Sequence, residues 1–145
     1  QGGRYPYVYV DGIYLRRNWG GEFENVAILV AIAEGYAFAA KAGIDLQTTF
    51  EATRHGFAGG PLYDNKVPKV LKRDYEPGAR IAVHRKDILN AIHYAHKMDV
   101  DLPLTDVVLR IMDWANDNGY VNEDQAALVR YYEDKMQVTV GQEEK

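Results

Sequence analysis

Val26-Ala-Ile-Leu-Val-Ala-Ile-Ala-Glu34-Gly-Tyr-Ala-Phe-Ala-Ala-Lys-Ala-Gly43 is the stretch on which the fold turns, because its two halves follow different periods. Val26, Ile28, Val30 and Ile32 alternate with mostly smaller residues and would point one way from a β-strand, so Val26–Ala33 is taken as a strand. From Glu34 onward the spacing is helical, and Gly43 supplies the residue that most easily closes a helix in the left-handed conformation. A short apolar run does not declare its period, so the same residues could extend the helix backward through Glu34.

Toward the N-terminus, Tyr7–Leu15 is aromatic and β-branched, and Asn18-Trp-Gly-Gly-Glu22 offers turn chemistry. Together with Val26–Ala33 they make an antiparallel hairpin, which alone is marginal in water and must pack on something. Toward the C-terminus the pattern stays helical. Asp45 caps a second helix ending at Gly56, and Pro61–Lys72 forms a third, with a kink or break expected near Asn65 because Pro68 lacks a backbone donor. A fourth, about Ala82 to Met98, places Ile88, Ala91, Ile92 and Ala95 on one face and Lys86, Asn90, His93 and Lys97 on the other. Pro103 opens a fifth, stopped by Gly119, and Asn122 with Gln125 three residues on starts a sixth running to about Met136. The expected architecture is mainly α: a hairpin over residues 1–33, a six-helix domain over 34–140 and a polar tail over 141–145.

The 145 residues are 47% hydrophobic, enough for one core, and 17 Lys+Arg against 21 Asp+Glu leave a net charge of −4 without a basic stripe. That balance argues against the chain holding nucleic acid electrostatically. With no Cys, disulfides, Cys-based zinc sites and thiol nucleophiles are excluded, and with no Ser, so is serine hydrolase chemistry. No apolar run reaches the roughly 18 residues of a membrane span, so the expectation is a soluble, cytoplasmic protein without membrane association.

Chemically, the densest ionisable cluster is His84-Arg-Lys-Asp87, with Lys86 on the side of its helix opposite the apolar stripe. A lysine there can bind a carboxylate or cofactor group; the alternative is a solvated face with local ion pairs worth under about 1 kcal/mol each. Asp11 at the end of a strand pattern could bind a divalent metal if other acids converged on it, but Glu22 and Glu24 do not obviously do so. His55, His93 and His96 form no metal-ligand constellation. His55-Gly-Phe-Ala-Gly-Gly60 ahead of Pro61 could cradle an anion at a helix end, yet it lacks the dinucleotide fingerprint and reads more simply as an interhelical loop.

Two resemblances follow from longer motifs. Residues 5–32, carrying Asp11-Gly-Ile-Tyr-Leu15 and Asn18-Trp-Gly-Gly-Glu22, resemble the start of the catalytic domain of mutator-type insertion-sequence transposases. The resemblance implies the first hairpin of a ribonuclease-H-like fold, with Asp11 matching its first metal carboxylate; the family's later acids are missing, so Asp11 is expected to be vestigial.

Residues 34–140 resemble the C-terminal helical domain of β-hydroxyacid dehydrogenases, closest to the tartronate semialdehyde (2-hydroxy-3-oxopropionate) reductases and like the C-terminal domain of 6-phosphogluconate-dehydrogenase-like enzymes. Ala40-Lys-Ala-Gly-Ile-Asp45, Arg73-Asp-Tyr-Glu-Pro-Gly-Ala-Arg-Ile81, His84-Arg-Lys-Asp87, Leu102-Pro-Leu-Thr105 and Glu123-Asp-Gln-Ala-Ala-Leu128 carry it. It implies a domain that closes over a small hydroxy acid and NADP or NAD, that contributes to a dimer interface, and in which Lys86, with Asp87 beside it, reaches the cofactor–substrate cleft. The family's Rossmann domain is not found, the places of its catalytic Lys and assisting Asn fall near Asn18 and Glu22, and Gly60 stands where relatives commonly have Ser. The expectation is therefore a chimera whose helical part is a dimerisation or binding module, catalytically silent, with no cofactor held by this chain alone. The alternatives are a residual or complemented oxidoreductase and a transposase-derived DNA-binding fragment.

Overall fold

The computed structural model describes residues 26–56 and 59–142. Helix α1 spans Val26–Lys41 without interruption, so the residues assigned to the hairpin's second strand are its first two turns. Val26, Leu29, Val30, Ala33, Tyr36 and Ala37 are buried at three- and four-residue intervals, whereas Ile28, which the strand would put beside Val26 and Val30, is 43% exposed. The cause is tertiary. The helix packs against the last helix and four other elements, and burying each Val or Leu is worth about 1.5–3 kcal/mol, against the few tenths by which β-branched residues disfavour helix. The first expected strand, Tyr7–Leu15, and the turn at Asn18–Glu22 lie outside the described residues.

Gly43, at φ +72°, closes α1, with the Ile44 N–H donating to the Ala39 carbonyl at 3.0 Å and the Gly43 N–H to Ala40 at 3.0 Å. Helix α2, Leu46–Thr53, is capped as expected, the Asp45 carboxylate accepting from the Thr48 N–H at 2.7 Å, but ends before Gly56. Helix α3, Pro61–Lys72, does not break near Asn65. Pro68 removes the donor to the carbonyl of Asp64, a residue on the exposed side, while Val67 and Val70 hold the other side in the core. Helices α4, Ile81–His96, and α5, Pro103–Asp117, pair with each other. The sixth segment starts later than expected: Asp124, not Asn122, caps a 3₁₀ turn over Gln125–Leu128, which leads into α6, Val129–Met136.

The core lies along one face of α1, between α3, α5, α6 and the 3₁₀ turn, with Leu29, Val67, Val108, Met112, Leu128 and Val129 fully buried. Among the described residues there is no strand, only an isolated antiparallel bridge joining Arg80 to Asp124. No described helix is long and apolar enough to cross a membrane. After α6 the chain folds back onto α3: Arg73 forms a two-pronged ion pair with Glu133 and donates to the Val140 carbonyl at 2.9 Å, while Gln142 N–H donates to Leu71 at 2.9 Å.

Candidate functional site

The first turn of α4 is held from outside the helix. The Ile81 N–H donates to the Glu123 carbonyl at 3.1 Å and the Ala82 N–H to Val121 at 2.8 Å, so two donors that a helix start leaves unpaired are satisfied by the segment before the 3₁₀ turn. Beneath that segment, Asp124 is fully buried. Its two oxygens lie 3.1 Å from the Lys66 ammonium, itself 3% exposed, and also accept from the backbone N–H groups of Gly78 at 3.0 Å, Ala79 at 3.1 Å and Ala126 at 3.0 Å. One carboxylate thus ties α3, the loop before α4 and the 3₁₀ turn into a single support.

On that support the His84–Asp87 cluster is pulled apart rather than gathered. His84 turns inward, its Nδ1 3.3 Å from the Arg80 carbonyl and its ring 2.8 Å from the Gln125 side-chain nitrogen. Arg85 reaches sideways, Nε donating to Asp113 on α5 at 2.7 Å. Lys86 is left pointing outward with 69% of its side chain exposed, held among the described residues only by a 3.7 Å ion pair to Asp87. Asn90, His93 and Lys97 continue the same exposed face. A contact of that length between solvated partners is weak. The three ammonium donors of Lys86 are therefore presented to an incoming carboxylate or phosphate at little cost.

The other nominated residues do not join it. Asp11 lies outside the described residues. His55, His93 and His96 are exposed, and no group of three or more potential ligands for a metal is found among the described residues. In the Gly-rich loop, Phe57 and Ala58 are outside the described residues; Gly59 sits so close to the Arg54 carbonyl that a Cβ would lie 1.8 Å from it, and Gly60 offers α3 no side-chain cap. A tight interhelical connection accounts for these glycines. An open groove of about 640 Å³ between the α1–α2 connection and the C-terminal segment is lined by Ala40, Gly43, Asp45, Leu71, Thr139 and Gln142, and holds none of the nominated residues.

Two groups of consequence escaped the sequence reading. Asp124 and Gln125 stand at the start of the expected sixth helix but are fully buried; the signal that they belong inside is the Ala126-Ala-Leu128 triplet directly after them, all of it buried. Tyr75, in the loop 74–80, is buried with its hydroxyl finding no partner among the described residues, and burial pushes its ionisation up to about 12. The Arg130 guanidinium lies 4.5 Å from both the Tyr75 and Tyr120 rings.

A family model described as the NAD-binding domain of NADP-dependent 3-hydroxyisobutyrate dehydrogenase matches residues 25–132. The chain is 32% identical to 2-hydroxy-3-oxopropionate reductase of Escherichia coli K12, over 71% of its own length and 35% of the relative's, and 25% identical to L-threonate dehydrogenase of Cupriavidus necator, over 72% and 35%. A crystal structure of 3-hydroxyisobutyrate dehydrogenase from Salmonella typhimurium superposes with a TM-score of 0.66 at 26% identity, covering 72% of this chain and 37% of that one. The chain spans about a third of the length of these relatives.

Proposed function

The chain belongs to the family of NAD-binding helical domains of NADP-dependent 3-hydroxyisobutyrate dehydrogenases, and on that premise we propose that it is the helical part of a β-hydroxyacid oxidoreductase of the kind that handles 2-hydroxy-3-oxopropionate. The observation that carries this reading is Lys86, presented outward from an α4 start pinned by Asp124, Gln125 and Asp113. The residues fit the anionic end of a small hydroxy acid or a single phosphate, because the lysine is weakly engaged by Asp87 and an ammonium accepts any anion geometry. The described residues contain no strand that could lead through a Gly-rich turn to a helix N-terminus.

When bound, the nicotinamide of NADP or NAD supplies or accepts the hydride; Lys86 binds and orients the substrate carboxylate, and Asp87 holds the ammonium until the anion arrives. We therefore assign to the 145-residue chain by itself a cytoplasmic binding and assembly role, as a homodimer without turnover. The transposase-like stretch around Asp11 is in this reading a vestige without strand-transfer activity. A second reading, an active oxidoreductase completed by a separate dinucleotide-binding domain, is favoured by relatives roughly three times as long.

Calorimetric titration of the chain with tartronate semialdehyde, glycerate, NADPH and NADH tests the proposal. The expected result is saturable hydroxy-acid binding on the order of 1 mM, weakened at least about fivefold in Lys86→Ala by loss of one charge-assisted contact, with no consumption of reduced cofactor. Equal heats from both proteins would remove Lys86 from the site, and turnover by the chain alone would end the silent assignment.

A further inference from the structure

His84-Arg85-Lys86 puts an imidazole and two full cations in consecutive positions of α4, yet the anion site proposed above uses only Lys86. Arg85 and Lys86 start about 3.8 Å apart at their Cα atoms and leave the helix about 100° apart. Both stems are long and rotatable, so whether the two heads diverge or converge on one ligand depends on what each head is tied to. Arg85 is tied to Asp113. Its Nε donates to the Asp113 carboxylate on α5 at 2.7 Å, with 30% and 41% of the two side chains exposed, and that bond uses one of the five N–H donors of the guanidinium. Lys86 is tied, among the described residues, only to Asp87 at 3.7 Å. Asp113 therefore holds a second cation away from the anion that Lys86 receives, while Asp87 keeps a negative charge beside it.

We propose that Asp113 is a positioning residue that sets the charge class of the ligand: by drawing Arg85 toward α5 it leaves the site one available cation, so that a small hydroxy acid with one carboxylate is taken in preference to the same skeleton with two. The inference rests on Lys86 as the anion-binding group and adds to that reading a reason for selectivity. A single ammonium matches one carboxylate. A second carboxylate on the same small skeleton lies close to Asp87, whose own carboxylate stands 3.7 Å from that ammonium, and like charges at such separations repel. Released from Asp113, the guanidinium has its planar fork free for the second carboxylate, the geometry in which arginine binds such groups most strongly. Because both side chains of the pair are partly solvated, breaking their bond costs the fold little, and affinity can be read apart from stability.

The experiment is calorimetric titration of the 145-residue chain with glycerate and with tartronate, which carries a second carboxylate in place of the hydroxymethyl group, at about pH 7 and about 0.15 M salt, where charges beyond about 8 Å are screened. Asp113→Ala is expected to raise the affinity for tartronate relative to glycerate at least about fivefold, by one added charge-assisted contact; Asp113→Asn, with volume kept and charge withdrawn, moves the ratio the same way. Arg85→Gln breaks the same bond without freeing a cation and leaves the ratio at the parent value, as does the Arg85→Gln, Asp113→Ala double variant. Asp113→Glu, which keeps the acceptor, also stays at the parent ratio. Asp117→Ala removes an equal charge one turn further along the same helix and leaves the ratio unchanged. A residue that merely clamped α4 to α5 would give Arg85→Gln and Asp113→Ala the same effect, so an equal shift in both overturns the proposal. So do a shift reproduced by Asp117→Ala, an unchanged ratio in Asp113→Ala, and failure of that variant to bind either acid. Lys86→Ala keeps the two readings apart: unchanged glycerate affinity in it removes Lys86 as the anion group, whereas a loss there beside an unshifted ratio in Asp113→Ala removes the role of Asp113 alone.

Discussion

Replacing Lys66 by Met tests the support beneath α4 most directly. Asp124 is fully buried and Lys66 is 3% exposed, and the substitution keeps the apolar stem while deleting a cation that approaches both carboxylate oxygens at 3.1 Å. Removing one partner of a buried ion pair leaves the carboxylate without its counter-charge, which puts the loss at about 3–5 kcal/mol. The three backbone donors from Gly78, Ala79 and Ala126 remain and hold the value toward the lower end of that range. For a domain of this size that corresponds to a melting midpoint roughly 10–20 °C lower. Urea unfolding followed by circular dichroism gives the free energy, and the Lys66→Met, Asp124→Leu double variant completes a thermodynamic cycle. The double variant should recover part of the loss, since removing both charges removes the uncompensated one. A single-variant loss below about 1 kcal/mol, or simple additivity in the cycle, would show that the pair is solvated in solution and refute the reasoning.

The Tyr75 hydroxyl ionises at about 12 in the folded chain because it is buried, against about 10 when unfolded. Its protonated form is thus favoured by folding, and the stability it contributes is complete below pH 10 and declines as pH rises toward 12, by up to about 3 kcal/mol. Tyr75→Phe should be close to neutral at pH 7 and measurably more stable than the parent at pH 11 in the same urea assay; an equal difference at both pH values would contradict it. Asp45 is held below the usual carboxylate range by its bonds from Thr48. Its help to α2 is therefore present above the unfolded value near pH 4 and lost as pH falls through the lower folded value, which Asp45→Ala should abolish in acid unfolding curves. Arg73→Gln removes the ion pair to Glu133 and the bond to the Val140 carbonyl, so amide exchange over Val138–Gln142 should accelerate at least tenfold while that of α5 is unchanged. Gly141, at φ +79° with a Cβ position 2.3 Å from the Leu71 carbonyl, allows no side chain without displacing the same segment; Gly141→Ala should reproduce the exchange pattern of Arg73→Gln.

The helical part of the fold was legible because it rests on local chemistry. The cap at Asp45, the left-handed closure at Gly43, the opening of α5 at Pro103 and the outward side of α4 with Lys86 each follow from one residue's conformational or bonding preference, and each stands where the spacing put it. Val26–Ala33 read as a strand because alternation of large and small apolar residues satisfies a two-residue period as well as a helical one. What decided it was a surface made by α3, α5, α6 and the 3₁₀ turn, which exists only once distant segments have assembled. The expected break at Pro68 failed for a related reason: packing on one side of α3 outweighed one lost backbone bond. The sequence by itself determined the helical grammar, the chemistry this chain does not carry in cysteine or serine, and the outward side of α4 on which Lys86 stands. Only the tertiary structure decided that Asp124 is a buried anchor and not a surface cap, that His84 and Arg85 turn away from Lys86, and that Val26–Ala33 belongs to α1. Burial and charge pairing between residues 58 apart have no local signature, because the low-dielectric site that gives them their strength is built by the whole chain.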